Sequence, residues 1–284
     1  VANADPARRW STIVPSGDLA LRVCSALVLA PLAVAAAYVG DWPFALFWGL
    51  AGLGVLWEWT SLVMPADRQF VLLTGAAALA LAFVFAATGR LVPAVIVLAM
   101  AMLATAVLAP PRQRGWVAGA IPYAGALGIA SVLLRADREA GFAAIIFLFA
   151  VVWTTDVVAY VVGRAVGGPK LWPHVSPKKT WSGAVGGTVA AVLAAIVVAR
   201  AFGYSGLLAI AVLAGALSIC AQVGDLFESF LKRRFGAKDS GCIIPGHGGL
   251  MDRLDGYIAA AVVAAAIGFT RGGLAAPGRG LLVW

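Results

Sequence analysis

Asp225, Ser229 and Lys232 are spaced i, i+4 and i+7 at the end of a long apolar run. A helix over 216–235 puts all three on one face, with Glu228 beside them at i+3. A carboxylate, a hydroxyl and an ammonium on one stripe can hold a divalent cation and a phosphate together. The competing reading is a solvated helix end with an intrahelical ion pair; the depth of Asp225 in apolar sequence favours chemistry. Downstream, Asp252 and Asp255 lie three apart and project together from a helical turn. Magnesium takes oxygen ligands, commonly one or two carboxylates with substrate phosphates and water. Asp225 and Asp252 are therefore candidates to meet across a metal site, with Asp255 in support. The same pair also suits a helix N-terminus, where the dipole favours acids, and spacing alone leaves both readings open.

Between these groups runs Ser240-Gly241-Cys242-Ile243-Ile244-Pro245-Gly246-His247-Gly248-Gly249. Its glycines, Gly248 and Gly249 among them, allow close backbone approach, and successive amides can form an anion nest. Lys238 on one side and Asp252-Arg253 on the other make it read as a phosphate-handling loop. His247 suits a general base or a phosphate donor, and equally a loop-stabilising hydrogen bond. A second polar loop holds Ser176-Pro177-Lys178-Lys179-Thr180. Ser then Pro reads as a helix start, Ser at the N-cap and Pro in the first turn. Such a terminus with two lysines suits a polyphosphate or lipid headgroup; a topogenic basic loop on anionic lipid fits equally. Asp156 lies within an apolar run, Trp153 to Tyr160. A charge there costs about 2.5–3.5 kcal/mol on insertion scales, so Asp156 must face the bundle interior or a polar cavity. Tyr160 shares its face one turn on. Glu58, between Trp57 and Trp59, reads as an interfacial charge among aromatic anchors.

These side chains need elements to hold them. Of 284 residues, 62% are hydrophobic and 12% charged, with mean hydropathy +0.94. Soluble domains carry about 25% charged residues. The expectation is an all-α, polytopic integral membrane helical bundle; barrel strands would alternate apolar and polar residues. We read about nine spans, near 19–40, 43–63, 70–88, 91–109, 116–134, 141–162, 182–201, 205–223 and 257–270. The last is short unless Gly256 and Arg271 sit at the interfaces. Breaks at Met64-Pro65-Ala66-Asp67-Arg68, Pro110–Arg114 and Arg135–Glu139 carry Pro and charge. Residues 1–140 form a string of plain spans. Residues 141–284 carry the motifs, on loops 163–181 and 224–256.

With the N-terminus in the cytoplasm, fifteen of the 21 Lys and Arg residues fall on the cytoplasmic side, both motif loops included. Net charge +8 is thus topogenic rather than a nucleic-acid signature. Cys24, Cys220 and Cys242 show neither metal spacing nor a disulfide framework. No cleavable signal is evident near Arg8 and Arg9, and no internal repeat is visible.

The motifs closely resemble the phosphatidate cytidylyltransferase (CDP-diacylglycerol synthase) family. The resemblance rests on Ser229-x-x-Lys232-Arg233, Lys238-Asp239, Pro245-Gly246-His247-Gly248-Gly249 and Asp252-Arg253-x-Asp255, with Asp156, Ala159-Tyr160 and Ser176-Pro177-Lys178-Lys179-Thr180 upstream. One position departs: Ser182 stands where the family carries glutamate. The resemblance implies a bacterial cytoplasmic-membrane enzyme that joins CTP and phosphatidic acid into CDP-diacylglycerol and pyrophosphate. It assigns Mg²⁺ to Asp225 and Asp252, with Asp255 and Asp156 as helpers. Lys232, Arg233 and Lys238 stabilise phosphates, and Ser176, Lys178 and Lys179 hold one anionic substrate. Thr180, Ser229, Asp239, Gly248, Gly249 and Arg253 complete the substrate contacts. Family enzymes are associated with a second metal such as K⁺ and with homodimers; no residue pattern here reports either. Two rival classes remain. A lipid kinase using CTP or ATP would release a nucleoside diphosphate. A transporter would show repeat symmetry between its halves. A CDP-alcohol phosphotransferase is discounted, since its DGxxAR-type motif is absent.

Overall fold

Runs of Ala, Leu and Val with few charges form helices here, because in hydrocarbon each backbone polar group must be satisfied within its own segment. The computed structural model describes residues 16–64, 68–241, 243 and 248–284, with side chains from Leu27 onward. The helices are α1 (Ser16–Val39), α2 (Asp41–Val63), α3 (Gln69–Ala87), α4 (Leu91–Leu108), α5 (Arg114–Arg135), α6 (Gly141–Val166), α7 (Trp181–Ala201), α8 (Leu207–Arg234), α9 (Met251–Gly272) and the short α10 (Pro277–Leu282). A two-stranded antiparallel hairpin, β1 (Lys170–Trp172) and β2 (Ser176–Thr180), joins α6 to α7. Among the described residues, eight helices, α2 to α9, are long and apolar enough to cross a membrane. The remaining expected span falls in α1, of which Leu27–Val39 is apolar. The chain is a multi-pass helical bundle, as composition requires.

Three boundaries differ from expectation. Helix α8 runs to Arg234, well past residue 223, so the Asp225 stripe is helical. Helix α9 starts at Met251 and is 22 residues long, which places Asp252 and Asp255 in its first turns. The loop expected over 224–256 thus narrows to residues 235–250. The third difference is a correction: Ser176 is not an N-cap, and Pro177 does not open a helix. Both lie in β2, where Pro177 is tolerated because an edge strand can spare a donor. Thr180 caps α7 instead. Its backbone is extended (φ −122°, ψ 156°) and its hydroxyl accepts from Gly183 N. The Ser-Pro signal describes residues with extended φ/ψ ahead of a turn, and a hairpin supplies that as well as a helix start does.

Small residues set the helix spacing around the motifs. On α7 a stripe of Gly183, Gly187, Ala191, Ala195 and Ala199 is buried. A Cβ at Gly183 would fall 2.5 Å from Ala159 O, and one at Gly187 2.8 Å from Thr155 O, so α6 and α7 touch backbone to backbone. Without a hydrophobic drive between helices in lipid, such small-residue seams hold bundles together. Between α8 and α9 the approach is reciprocal: Gly224 abuts the Asp255 carbonyl and Gly256 the Ala221 carbonyl. From the N-terminal half, α2 and α5 brace α9. Trp48 stacks on Tyr257 with ring centroids 4.6 Å apart, and the Tyr257 and Ser131 hydroxyls lie 3.0 Å apart.

Candidate active site

The last turns of α6 and α8, the first turns of α9 and the β1–β2 hairpin meet at one end of the bundle. They enclose a cleft of about 760 Å³, within the range of small-molecule sites. Six cations (Arg164, Lys170, Lys178, Lys179, Lys232 and Arg253) and four carboxylates (Asp156, Asp225, Asp252 and Asp255) line it. Thr180 lines it too. The close α6–α7 seam brings Lys179 to the acids: its ammonium pairs with Asp225. Ser229 reaches the same carboxylate only weakly, at 3.5 Å.

Asp252 is the most heavily engaged acid. Its Oδ1 accepts from Lys232 at 2.5 Å. Its Oδ2 accepts from Ser240 N (3.0 Å), Ser240 Oγ (2.9 Å) and Gly249 N (2.9 Å). A side chain at Gly249 would overlap Ser240 Oγ and crowd Asp252, which is why glycine stands there. Asp252 therefore ties the glycine loop to the start of α9 while holding Lys232. Both sequence readings of the acid pair apply, since Asp252 is also a first-turn acid reaching back to a preceding amide. Lys232 bridges onward to Glu228 Oε2 at 2.5 Å. That carboxylate is buried and, among the described residues, has no hydrogen bond of good geometry; nor has the buried Tyr123 hydroxyl. Asp255 is buried beside the cleft and accepts from Gly256 N at 2.7 Å.

The expectation for Glu58 is overturned. It is not an interfacial charge: it is 1% exposed and reaches from α2 to the signature loop. It accepts from Met251 N (2.7 Å), Leu250 N (2.8 Å) and Ser240 Oγ (3.1 Å). These satisfy two of the orphan amides at the start of α9. Ser240 thus stands between Glu58 and Asp252, a partner to both. The signal that marked Asp156, a charge inside an apolar segment, was present at Glu58 as well, masked by its flanking tryptophans.

Not every expected residue converges. Arg233 is exposed and donates to Ala237 O, just past the end of α8, at 3.1 Å. Lys238 and Asp239 are exposed outside the cleft lining. Ser176 sits on the hairpin, also outside the lining. Gly248 has φ +85°, and a Cβ there would lie 3.4 Å from Asp252 Oδ2. His247 lies outside the described residues, as do Pro245, Gly246, Cys242 and the N-terminal arginines. Ser182, at the departing position, donates to Gly167 O and lies 3.0 Å from Thr180 Oγ1, so it ties the hairpin's entry to the α7 cap. Gln222, Arg164 and Lys170 line the cleft without having been selected from the sequence, and Tyr160, named there for sharing the Asp156 face, lines it as well.

A membrane-embedded helical bundle whose polar cleft combines clustered cations with carboxylates defines a class: an enzyme handling phosphorylated substrates at a membrane end. Residues 20–270 match the cytidylyltransferase family, and the chain belongs to it. It is 43% identical to a protein of Brucella abortus named phosphatidate cytidylyltransferase, over 87% of this chain and 92% of the relative. A protein of the same name from Staphylococcus saprophyticus is 43% identical over 133 residues, 46% of this chain and 51% of the relative.

Proposed function

We propose that this chain transfers the cytidylyl group of CTP to phosphatidic acid, giving CDP-diacylglycerol and pyrophosphate in phospholipid synthesis. The observation that carries the reading is the cleft itself, in which six cations and four carboxylates meet at the end of membrane helices. Family membership and the names of the relatives support it; the kinase and transporter readings draw no support from either.

A phosphate oxygen of phosphatidic acid attacks the α-phosphorus of CTP. The new P–O bond forms as the bond to the β-phosphate oxygen breaks, and the electron pair leaves on pyrophosphate. The attacking phosphate is already ionised near neutral pH, so no strong general base is needed. The chain's part is to position two anions and to stabilise charge on the oxygens. Lys178, Lys179, Arg164 and Lys170 face the cleft from the hairpin side, Lys232 and Arg253 from the α8–α9 side. The two groups flank the space between them and can hold separate phosphates.

Among the described residues no three His, Cys, Asp or Glu side chains converge on one metal position. The donor set fits an ion that takes one or two carboxylates and fills its shell with phosphates and water, as Mg²⁺ does. Lysine ammoniums sit on Asp225 and on Asp252, so both carboxylates already face a cation. We propose that Asp225 and Asp252, with phosphates and water completing the shell, would hold Mg²⁺, and that Asp255 and Asp156 support them. Bound there, the metal would neutralise phosphate charge and align the groups. A second metal such as K⁺, a homodimer, and a bacterial cytoplasmic membrane with the cleft facing the cytoplasm complete the proposal.

The test is product analysis with purified protein, CTP, phosphatidic acid and Mg²⁺. CDP-diacylglycerol and pyrophosphate, both lost with EDTA, are expected. CDP with a phosphorylated lipid would replace this reading by the kinase, and no product under any metal condition would reject it.

A further inference from the structure

Lys232 sits between two carboxylates, and only one of them belongs to the cleft. Its ammonium lies 2.5 Å from Asp252 Oδ1 and 2.5 Å from Glu228 Oε2. Asp252 lines the cleft; Glu228 does not, and its side chain is 1% exposed. Glu228 and Lys232 are i and i+4 on α8, with the acid on the N-terminal side, the order that pairs best on a helix. Phe227, the residue before, packs on Trp59 of α2 and Tyr123 of α5, so aromatic rings back this turn of α8. A buried carboxylate is costly unless it is paired, and Lys232 is the cation the structure gives it. Buried behind the lysine, Glu228 has no substrate phosphate to touch.

Asp252 has little freedom. Its Oδ2 already accepts from Ser240 N, Ser240 Oγ and Gly249 N. A metal ion at Asp252 therefore takes Oδ1, the atom on which Lys232 rests. Two cations on one oxygen repel. The ammonium must give way, and Glu228 is already in contact on its other side. Resting on the proposed reaction, we infer that Glu228 is a positioning residue that acts through Lys232. It keeps the ammonium at the edge of the cleft while Asp252 Oδ1 passes from lysine to metal. Lys232 then turns its remaining N–H donors toward phosphate, fixed from behind. Without the Glu228 charge the lysine has Asp252 alone, and it contests the same oxygen with the metal.

Mn²⁺ in place of Mg²⁺ reads this without turnover. Its binding to the full chain in detergent, with no nucleotide or lipid, is followed by electron paramagnetic resonance. Glu228→Gln removes the charge and keeps the shape. It takes away a buried anion and leaves Lys232 paired with Asp252, so the variant should elute as wild type in size-exclusion chromatography. Its Mn²⁺ affinity should fall by about tenfold or more, the scale on which outer-shell partners act. Adding Lys232→Met to Glu228→Gln removes the competing ammonium together with its acid. Affinity should then return to the wild-type level or better. Glu228→Asp keeps an i,i+4 pair and should lie close to wild type. A role in stability alone moves none of these in that order. Wild-type affinity in Glu228→Gln, or an equal loss in the double variant, would overturn the proposal. So would a wild-type isotherm no different from that of Asp252→Asn, which would put no metal on Asp252. In the reaction, half-saturating Mg²⁺ for Glu228→Gln should rise by the same factor while KM for phosphatidic acid holds. The expected Mn²⁺ pattern in a chain that makes no CDP-diacylglycerol would reject the reaction and leave Glu228 holding Lys232 at a metal site.

Discussion

Asp252 uses both carboxylate oxygens, one on Lys232 and one on the Ser240 and Gly249 donors. Asp252→Asn keeps one acceptor but turns an amide toward either an ammonium or backbone N–H groups. Losing a hydrogen-bond acceptor at a half-buried site costs about 1–3 kcal/mol, which a bundle of this size should survive. Turnover is another matter, because the substituted group no longer carries charge where phosphates are handled. The expected result is a monodisperse protein in detergent with turnover lowered at least about 10²-fold. Near-normal activity would remove Asp252 from the metal and phosphate set. Lys179 differs, since it is a partly exposed ammonium paired with Asp225. Lys179→Ala frees that carboxylate and removes one positive charge from the cleft. KM for CTP or for phosphatidic acid should rise several-fold with a smaller change in kcat; unchanged KM for both substrates would leave the lysine with a topogenic role only.

Helices α2, α8 and α9 act together through Glu58. Its carboxylate receives the first amides of α9 and the Ser240 hydroxyl, so the orientation of Asp252 is set from the opposite half of the chain. Glu58→Gln leaves one buried donor facing an amide N–H, a loss of about 1–3 kcal/mol, and lets the start of α9 shift. The prediction is a raised Mg²⁺ requirement and lowered kcat with KM for CTP held; Glu58→Asp should recover part of kcat if its shorter carboxylate still reaches Met251 N. A Glu58→Gln protein with the wild-type Mg²⁺ titration would confine Glu58 to stability. Much of the site was legible beforehand. Asp156 and Asp225 stood out because charge is costly in apolar sequence, Asp252 and Asp255 by their spacing and the resemblance, and all four line one cleft. Glu58 was missed because its partners are 182 to 193 residues away and leave no local pattern. Ser176 was misassigned because strand pairing with β1 is tertiary, while Ser-Pro is local and fits both structures. The small-residue stripe of α7 was visible as composition, yet which helix it met was not.

At the scale of the whole molecule, the ends of α6 and α8, the start of α9 and the hairpin all lie at one end of the bundle, and the question is which side of the membrane that end faces. The charge count favours the cytoplasm, fifteen basic residues against six. Six of those fifteen line the cleft, where the proposed reaction would use them on substrate. Setting them aside leaves nine against six, a much weaker bias. The stronger argument is chemical: a site for a nucleoside triphosphate must face the compartment that holds one. Single cysteines introduced at two exposed positions decide it, Arg138→Cys in the α5–α6 turn and Lys238→Cys in the α8–α9 loop, with Cys24, Cys220 and Cys242 first replaced by Ser. An impermeant thiol reagent should label Arg138→Cys in intact cells and Lys238→Cys only after permeabilisation. The reverse pattern would place the cleft outside, away from CTP. Because the cleft and the α5–α6 turn lie at opposite ends of the same helices, both positions cannot label from one side without breaking the bundle, so the pair serves as its own control.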